Sequence, residues 1–232
     1  MIVMNLISRL AVLGAVFCAA APFAFSQDVS KVSLRFVCFP KSVEPLKVEL
    51  LIGEGKTEEL EVFSNELSKT YSVPAQSAWV IGETTLNEDD EPVFKVLGKA
   101  TALSASKQLV LIVKKGADNS DGFEMVAIED GANGFGGGEM LFVNAAGVRI
   151  GGVVGTRKFA LRPGEHAIVE PKADKGNGRL CHASLFYEQE EKPVPFFSST
   201  WPVSEYTRAM LFVYHDPSSR KLRLHSIRDY LE

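Results

Sequence analysis

The sequence has little of what several classes of protein require. Its 232 residues include three cysteines, too few for a disulfide-rich scaffold. It has no excess of basic residues, because 25 Lys and Arg stand against 29 Asp and Glu and give a net charge of −4. A nucleic-acid-binding face needs surplus cations to displace counterions from phosphate. The composition therefore argues against a nucleic-acid partner, and 46% hydrophobic residues argue against a disordered chain.

Catalytic and metal-binding motifs are missing as well. The sequence has no Gly-x-Ser-x-Gly elbow of a serine hydrolase and no His-Glu-x-x-His pair for zinc. The four histidines lack the close spacing of zinc ligands. Asp118–Gly122 has the composition of a calcium loop but lacks the regular ligand spacing and the final bidentate Glu. We therefore nominate no catalytic residue, no metal ligand and no cofactor.

The longest apolar stretch lies at the N-terminus. Arg9 is the only charged residue among the first 26, and an apolar run from Leu10 to Ala21 follows it. Ala24–Ser26 then has the small-x-small pattern of a signal-peptide cleavage site. The run is shorter than the roughly 20 residues of a membrane-spanning helix, and lipidation at Cys18 is disfavoured by the bulky residue before it. We predict that residues 1–26 are removed and that the mature protein is periplasmic or secreted, without a transmembrane span.

The mature chain has the pattern of short β-strands almost throughout. Residues 32–38 alternate apolar and mixed side chains, and Gly, Pro and Asp separate further short runs. Leu109–Val113 is a continuous apolar run of strand length, which is typical of a strand buried on both faces. No long segment has a helical period, and only Asn65–Lys69 and Ser226–Leu231 are expected to form short helical turns. The sequence therefore predicts an all-β protein.

The two halves of the mature chain resemble each other. When the chain is slid by 101 residues, Trp79–Lys115 falls on Leu180–Asp216 without a gap. The apolar run Leu109–Val113 then falls on Met210–Tyr214. This match favours two similarly folded domains; two unrelated β-domains, or one continuous sheet system, are the alternatives.

A Gly-rich segment marks the predicted boundary between the halves. Gly131–Gly138 contains five glycines, the composition of a flexible joint. We predict two tandem immunoglobulin-like β-sandwich domains after the cleaved signal peptide, at residues 27–130 and 139–232, joined by the linker 131–138.

Two cysteines, Cys38 and Cys181, remain after the predicted cleavage. Each shares its predicted strand face with apolar neighbours, and the two lie in different predicted domains. A disulfide needs Cα atoms within about 7 Å, so we expect two buried thiols. A bridge between them, which export would permit, is the alternative.

The segment Pro193–Pro202 carries the candidate binding residues. Phe196, Phe197 and Trp201 lie there among prolines and serines, and exposed rings on rigid scaffolds are typical of binding surfaces. The prolines indicate an irregular, edge-like segment, because proline cannot donate to a strand ladder. The alternative is that the three rings pack into the core of the second domain.

A signal peptide followed by two β-domains of about 100 residues resembles the periplasmic pilus chaperones in size and class. The resemblance implies an extracytoplasmic β-fold and carries no functional residue. We predict a non-catalytic binding or structural protein whose partner is an envelope or extracellular protein or glycan. The alternative is a hydrolase of envelope or extracellular polymers that uses carboxylates, which the acidic runs Glu88–Glu91 and Glu188–Glu191 suggest.

Overall fold

The computed structural model describes residues 30–115, 122–172 and 179–231. The predicted signal peptide and nearly all of the calcium-like segment Asp118–Gly122 lie outside these ranges. The described chain is all-β, as predicted, and folds into sixteen strands. Within these ranges, no helix has the length and apolar character needed to cross a membrane.

The first eight strands form two facing sheets, which we call the first sandwich. The strands are β1 (Lys31–Phe39), β2 (Leu46–Gly53), β3 (Lys56–Val62), β4 (Tyr71–Pro74), β5 (Ala78–Leu86), β6 (Pro92–Thr101), β7 (Lys107–Lys114) and β8 (Phe123–Glu129). The sheet orders are β4-β1-β7-β8 and β3-β2-β5-β6. β1 and β7 are parallel and the other pairs are antiparallel.

The next eight strands form the second sandwich. They are β9 (Met140–Asn144), β10 (Ile150–Val154), β11 (Arg157–Leu161), β12 (His166–Val169), β13 (Leu180–Gln189), β14 (Lys192–Pro202), β15 (Thr207–His215) and β16 (Leu222–Tyr230). Their sheet orders are β12-β9-β15-β16 and β11-β10-β13-β14, with β9 and β15 parallel. The second sandwich therefore repeats the first strand for strand, and β7 and β15 occupy equivalent places.

The strand β7 is buried on both faces, as its apolar run predicts. Val110 and Ile112 face the core of the first sandwich, whereas Leu109 and Leu111 face the second sandwich. In β15, Met210 faces the first sandwich in the same way. The sheets that contain β7 and β15 thus pack against each other, and the four sheets form four layers.

We call the apolar layer between the two middle sheets the seam. Its buried members come from both sandwiches and from the Gly-rich segment: Val37, Phe39, Leu109, Leu111, Ile128, Phe135, Leu141, Val143, Met210, Phe212 and Ile227. Sheet-on-sheet burial of this kind is the largest favourable contribution that a β-protein has. The seam therefore holds the two sandwiches in one defined arrangement.

The two predicted helical turns are wrong. Ser226–Leu231 lies mostly in β16, which pairs with all nine residues of β15 and buries Ile227 in the seam. Asn65–Lys69 runs as a bend, and the hydroxyl of Ser68 accepts a hydrogen bond from the backbone N–H of Phe36. In both segments, pairing with a distant strand outweighs a weak local preference.

Candidate functional site

The three candidate binding residues lie on β14, the outer strand of its sheet. The edge position agrees with the expectation from the prolines, but the segment is a strand throughout rather than an irregular loop. Its irregularity is confined to one bulge, where Leu185 pairs with Phe197 and Phe186 pairs with Pro195. Phe196 is the extra residue of this bulge, so Phe196 and Phe197 are not on opposite faces as in a regular strand.

We call Phe196, Phe197 and Trp201 the β14 aromatic cluster. The rings of Phe197 and Trp201 are in contact, with centroids 5.6 Å apart, and Trp201 also lies 6.3 Å from Phe142 in the core. Phe196 instead contacts Tyr187, at 6.4 Å. All three rings are partly buried against the hydrophobic core of the second sandwich and partly exposed. The cluster therefore serves the core on one side and presents aromatic surface at a sheet edge on the other.

Prolines protect the free edge of β14. Pro193, Pro195 and Pro202 lie within the strand and have no backbone N–H to donate. An edge strand with missing donors is a poor template for a further strand. The free edge of β14 is therefore a poor site for extension of the sheet.

The two cysteines are buried in separate cores, and no disulfide joins them, as expected. The Cys38 thiol donates a hydrogen bond to the carbonyl oxygen of Val62 at 3.4 Å, and burial raises its pKa to about 11. Cys181 lies on β13 directly opposite Trp201 and has no exposed surface. A buried thiol with a raised pKa is a poor nucleophile, so Cys38 belongs to the packing of its core.

The histidines are scattered over the second sandwich. His182 is exposed on β13, with its ring nitrogen 3.0 Å from the Ser184 hydroxyl, whereas the ring of His225 contacts the carbonyl oxygen of Ser64 at 2.8 Å. Among the residues that the structure describes, no three His, Cys, Asp or Glu side chains form a group that could hold a metal ion.

A groove of about 610 Å³ on the first sandwich is lined by charged side chains. Four of them are glutamates: Glu49, Glu59, Glu61 and Glu83. The backbone N–H and hydroxyl of Thr84 donate to Glu49 at 2.9 and 2.8 Å and hold its pKa below the usual range. A general acid needs a raised pKa, so Glu49 is not suited to donate a proton at neutral pH.

The acidic runs that suggested hydrolysis stand at the tips of hairpins. Glu88–Glu91 forms the exposed turn between β5 and β6, and Glu188–Glu191 comprises the end of β13 and the turn to β14. Glu188 forms an exposed ion pair with Arg149 at 3.5 Å. The structure therefore places the two runs on different sandwiches and does not bring them together in one cleft.

A second groove, of about 400 Å³, lies beside the turn between β13 and β14 and was not predicted. Gly151 and Gly152 are among its lining residues, together with Phe159, Phe186 and Tyr187. The adjacent glycines in β10 are not a signal for this groove, because a Cβ at Gly152 would meet the core side chains of Phe159 and Leu185. Here the Phe159 ring lies over Gly152.

Four charged side chains meet at the seam, and no local pattern in the sequence predicts their contact. Arg208 donates to Asp229 at 2.9 Å and to Asp130 at 2.6 Å, and Arg35 donates to Asp130 at 2.9 and 3.0 Å. The Arg208 side chain has no exposed surface. Burial opposes the charged form of Asp130, but its hydrogen bonds and ion pairs with Arg35 and Arg208 outweigh this and lower its pKa. We call these four residues the seam charge cluster.

The Gly-rich segment is packed into this cluster. Phe135 is fully buried, its ring lies 4.6 Å from the Arg208 guanidinium carbon, and its carbonyl oxygen accepts a hydrogen bond from Arg208. The backbone of Gly137 lies so close to Glu205 that a side chain would not fit. Glycines are thus needed here for close approach of the chain to its neighbours.

No protein-family model matches the chain, and no curated protein matches it in sequence.

Proposed function

We propose that the chain is exported and acts in the periplasm or outside the cell as a non-catalytic binding or structural protein. Arg9, the apolar run that follows it and the small-x-small pattern of Ala24–Ser26 support export. Mass spectrometry of the protein from its native host tests this step. We expect a mature chain that begins at Gln27, and a cytosolic chain that keeps Met1 would contradict export.

The proposed binding surface is the β14 aromatic cluster. The observation that carries this proposal is the partial exposure of its rings along the outer strand of a sheet. Rigid aromatic rings supply large contact area at a low entropic cost, which is why they are enriched in binding surfaces. The proline-protected backbone favours contact through ring faces, and the partner we propose is an envelope or extracellular protein or glycan.

The two tryptophans of the chain make this testable by fluorescence. In a Trp79→Phe variant, Trp201 is the only tryptophan, and in a Trp201→Phe variant only the buried Trp79 remains. Each protein is mixed with washed cell-envelope fragments. One portion of the fragments is treated with protease beforehand, and another portion with glycan-degrading enzymes. We expect emission from Trp201 to shift to shorter wavelength on binding and emission from Trp79 to stay constant.

Co-sedimentation with the same fragments supplies the second measurement. A Trp201→Leu variant keeps an apolar side chain against the core but loses the ring, and we expect its retention to fall about tenfold. The matched control is Trp79→Phe, which alters a ring in the other sandwich and should be retained like the unaltered protein. Equal retention of both variants, with unchanged Trp201 emission, would refute the surface.

The second candidate is the hydrolase, because the 610 Å³ groove holds four glutamates. A carboxylate pair needs one member with a raised pKa to act as the acid, whereas the pKa of Glu49 is lowered. Incubation with envelope glycan, followed by an assay for new reducing ends, distinguishes the candidates. We expect no release, and release that disappears in a Glu59→Gln or Glu61→Gln variant would favour the hydrolase.

The immunoglobulin-like class and the domain limits 27–130 and 139–232 also stay proposals. Constant-type immunoglobulin sandwiches have seven strands in sheets of four and three, whereas each sandwich here has eight strands in two sheets of four. The size of each unit and its two facing, largely antiparallel sheets support the class. Superposition of an experimental structure on immunoglobulin domains tests it.

A further inference from the structure

The two sandwiches meet through the same surface of each. Slid by 101 residues, Leu109 falls on Met210 and Leu111 on Phe212, and all four lie in the seam. The ladder registers extend the match to the neighbouring strands: Val37 and Val143 pair with Leu111 and Phe212, and Ile128 and Ile227 pair with Leu109 and Met210. A contact of this kind, in which one patch meets its own copy, has an approximate two-fold symmetry.

Such symmetry predicts two equivalent ends of the seam. At one end, the Phe39 ring stacks on Phe212, with centroids 5.0 Å apart and an interplanar angle of 4°. Tyr214 meets Phe39 edge-on at 5.1 Å, and His225 lies 6.3 Å away. We call this the aromatic end, where four rings fill the space between the sandwiches.

Small side chains occupy the equivalent positions at the other end. In the first sandwich, Phe39 pairs with Val113 on β7. In the second sandwich, Ala145 follows Asn144, which pairs with Val213 on β15. Ala145 is therefore the symmetry equivalent of Phe39. By the same registers, Leu111, Val113 and Val126 stand for Phe212, Tyr214 and His225.

These four smaller side chains line a cavity of about 240 Å³. We call this the open end. The cavity occupies the place that aromatic rings fill at the aromatic end. An apolar cavity of about 150 Å³ is known to accept benzene, so this volume is sufficient for one ring.

The rim of the open end carries positive charge. Lys114 and Lys115 line it at the end of β7, and neither forms an ion pair with any described residue. One carboxylate, Glu124, and the ring of His166 are also at the rim. The side-chain amide of Asn144 is occupied by the carbonyl oxygens of Val148 and Leu161.

We propose that the open end binds a small ligand that has one aromatic ring and a carboxylate. The ring takes the position that corresponds to Phe39 at the aromatic end, among Leu111, Val113, Val126 and Ala145. The carboxylate lies at the rim, where the ammonium group of Lys115, which follows the face of β7 that carries Val113, supplies a charge-assisted hydrogen bond. The site is separate from the β14 aromatic cluster and does not depend on its role.

Phenylacetate is a suitable probe, and isothermal titration calorimetry or ligand-observed NMR measures its binding to the mature protein. We expect a Kd below about 1 mM, and weaker binding of the uncharged 2-phenylethanol. Ala145→Phe restores the missing ring, so we expect it to abolish binding and raise the melting temperature. Ala160→Phe is the matched control: it adds the same ring to an exposed position in the 400 Å³ groove and should leave binding unchanged.

A charge variant keeps the test decisive if Ala145→Phe does not fold. In Lys115→Gln, the exposed rim changes and the cavity does not, so we expect phenylacetate to bind at least tenfold more weakly. Binding of 2-phenylethanol should not change in that variant. Absence of phenylacetate binding, or binding that is lost in Ala160→Phe and kept in Ala145→Phe, would overturn the proposal.

Retention of Ala145→Phe on envelope fragments should be normal, which separates this site from the β14 aromatic cluster.

Discussion

The two sandwiches have the same strand order but hold their tryptophan on different strands. In the first sandwich, Trp79 lies on the inner strand β5 and faces Ala100 on the outer strand β6. In the second, Cys181 lies on the inner strand β13 and faces Trp201 on the outer strand β14. Each cross-strand pair combines one large and one small side chain. The tryptophan of the second sandwich therefore lies one strand further out than that of the first, and only the second sandwich has a tryptophan on its edge strand.

A buried hydrogen bond explains why the inner position suits a tryptophan in only one sandwich. The indole N–H of Trp79 donates to the side-chain oxygen of Gln108 at 2.7 Å, and Gln108 donates in turn to the carbonyl oxygens of Leu103 and Ala105. The 101-residue slide puts Ala209 at the position of Gln108. An indole on the inner strand of the second sandwich would lack this acceptor, and an unsatisfied buried N–H is costly.

The largest expected difference is between alanine substitutions of the two tryptophans. Trp79 is fully buried, so Trp79→Ala should lower the free energy of unfolding by about 3–5 kcal/mol. Trp201 is partly exposed, and Trp201→Ala should cost roughly half as much. Denaturant unfolding followed by far-ultraviolet circular dichroism measures both. Equal losses would mean that the two rings contribute alike and that the comparison fails.

The next largest effect is expected at the seam charge cluster. Arg208→Ala removes the fully buried cation that pairs with Asp130 and Asp229 and leaves them with the partly exposed Arg35, which should cost about 3 kcal/mol. The equivalent residue of the first sandwich, Lys107, is exposed. Lys107→Ala should change stability by less than about 0.5 kcal/mol. Comparable losses in the two variants would contradict the assigned asymmetry.

Acid should weaken the same cluster. The pKa of Asp130 is lower in the folded chain than in the unfolded chain, where it is about 3.9. Its contribution to stability is therefore complete above the unfolded pKa and is lost as the pH falls through the folded pKa. We expect the free energy of unfolding to fall between about pH 5 and pH 2, and to fall less in Asp130→Asn. An identical pH dependence in both proteins would exclude Asp130 as a contributor.

The sequence was sufficient for features that depend on local pattern. The continuous apolar run Leu109–Val113 predicts burial on both faces, because both sides of that strand must avoid water, and the structure agrees. Prolines at 193 and 195 predict the edge position for a similarly local reason, but the irregular segment that they also indicated is a strand. The helical turn at Ser226–Leu231 was wrong because the hydrogen bonds of β16 come from β15.

The seam and its charges could not be predicted from the same patterns. Asp130 and Arg208 are 78 residues apart, and only the packing of one sandwich on the other brings them together. The composition of Gly131–Gly138 indicates a flexible joint. Glycine also permits close approach of two backbone segments, and in this structure Phe135 of the segment is fully buried in the seam. Composition alone does not distinguish these two uses of glycine.

The smallest expected effect concerns the two thiols and tests the link between Cys181 and Trp201. In the folded mature chain, iodoacetamide at pH 8 should label neither cysteine, because both are buried and the pKa of Cys38 is raised to about 11. Trp201→Ala removes the ring opposite Cys181, so labelling of Cys181 should rise several-fold while Cys38 stays protected. Peptide mass spectrometry measures each site separately, and Trp201→Phe, which keeps a ring, serves as the control. A parallel rise at both cysteines would mean that the substitution opens the whole chain rather than the edge of the second sandwich.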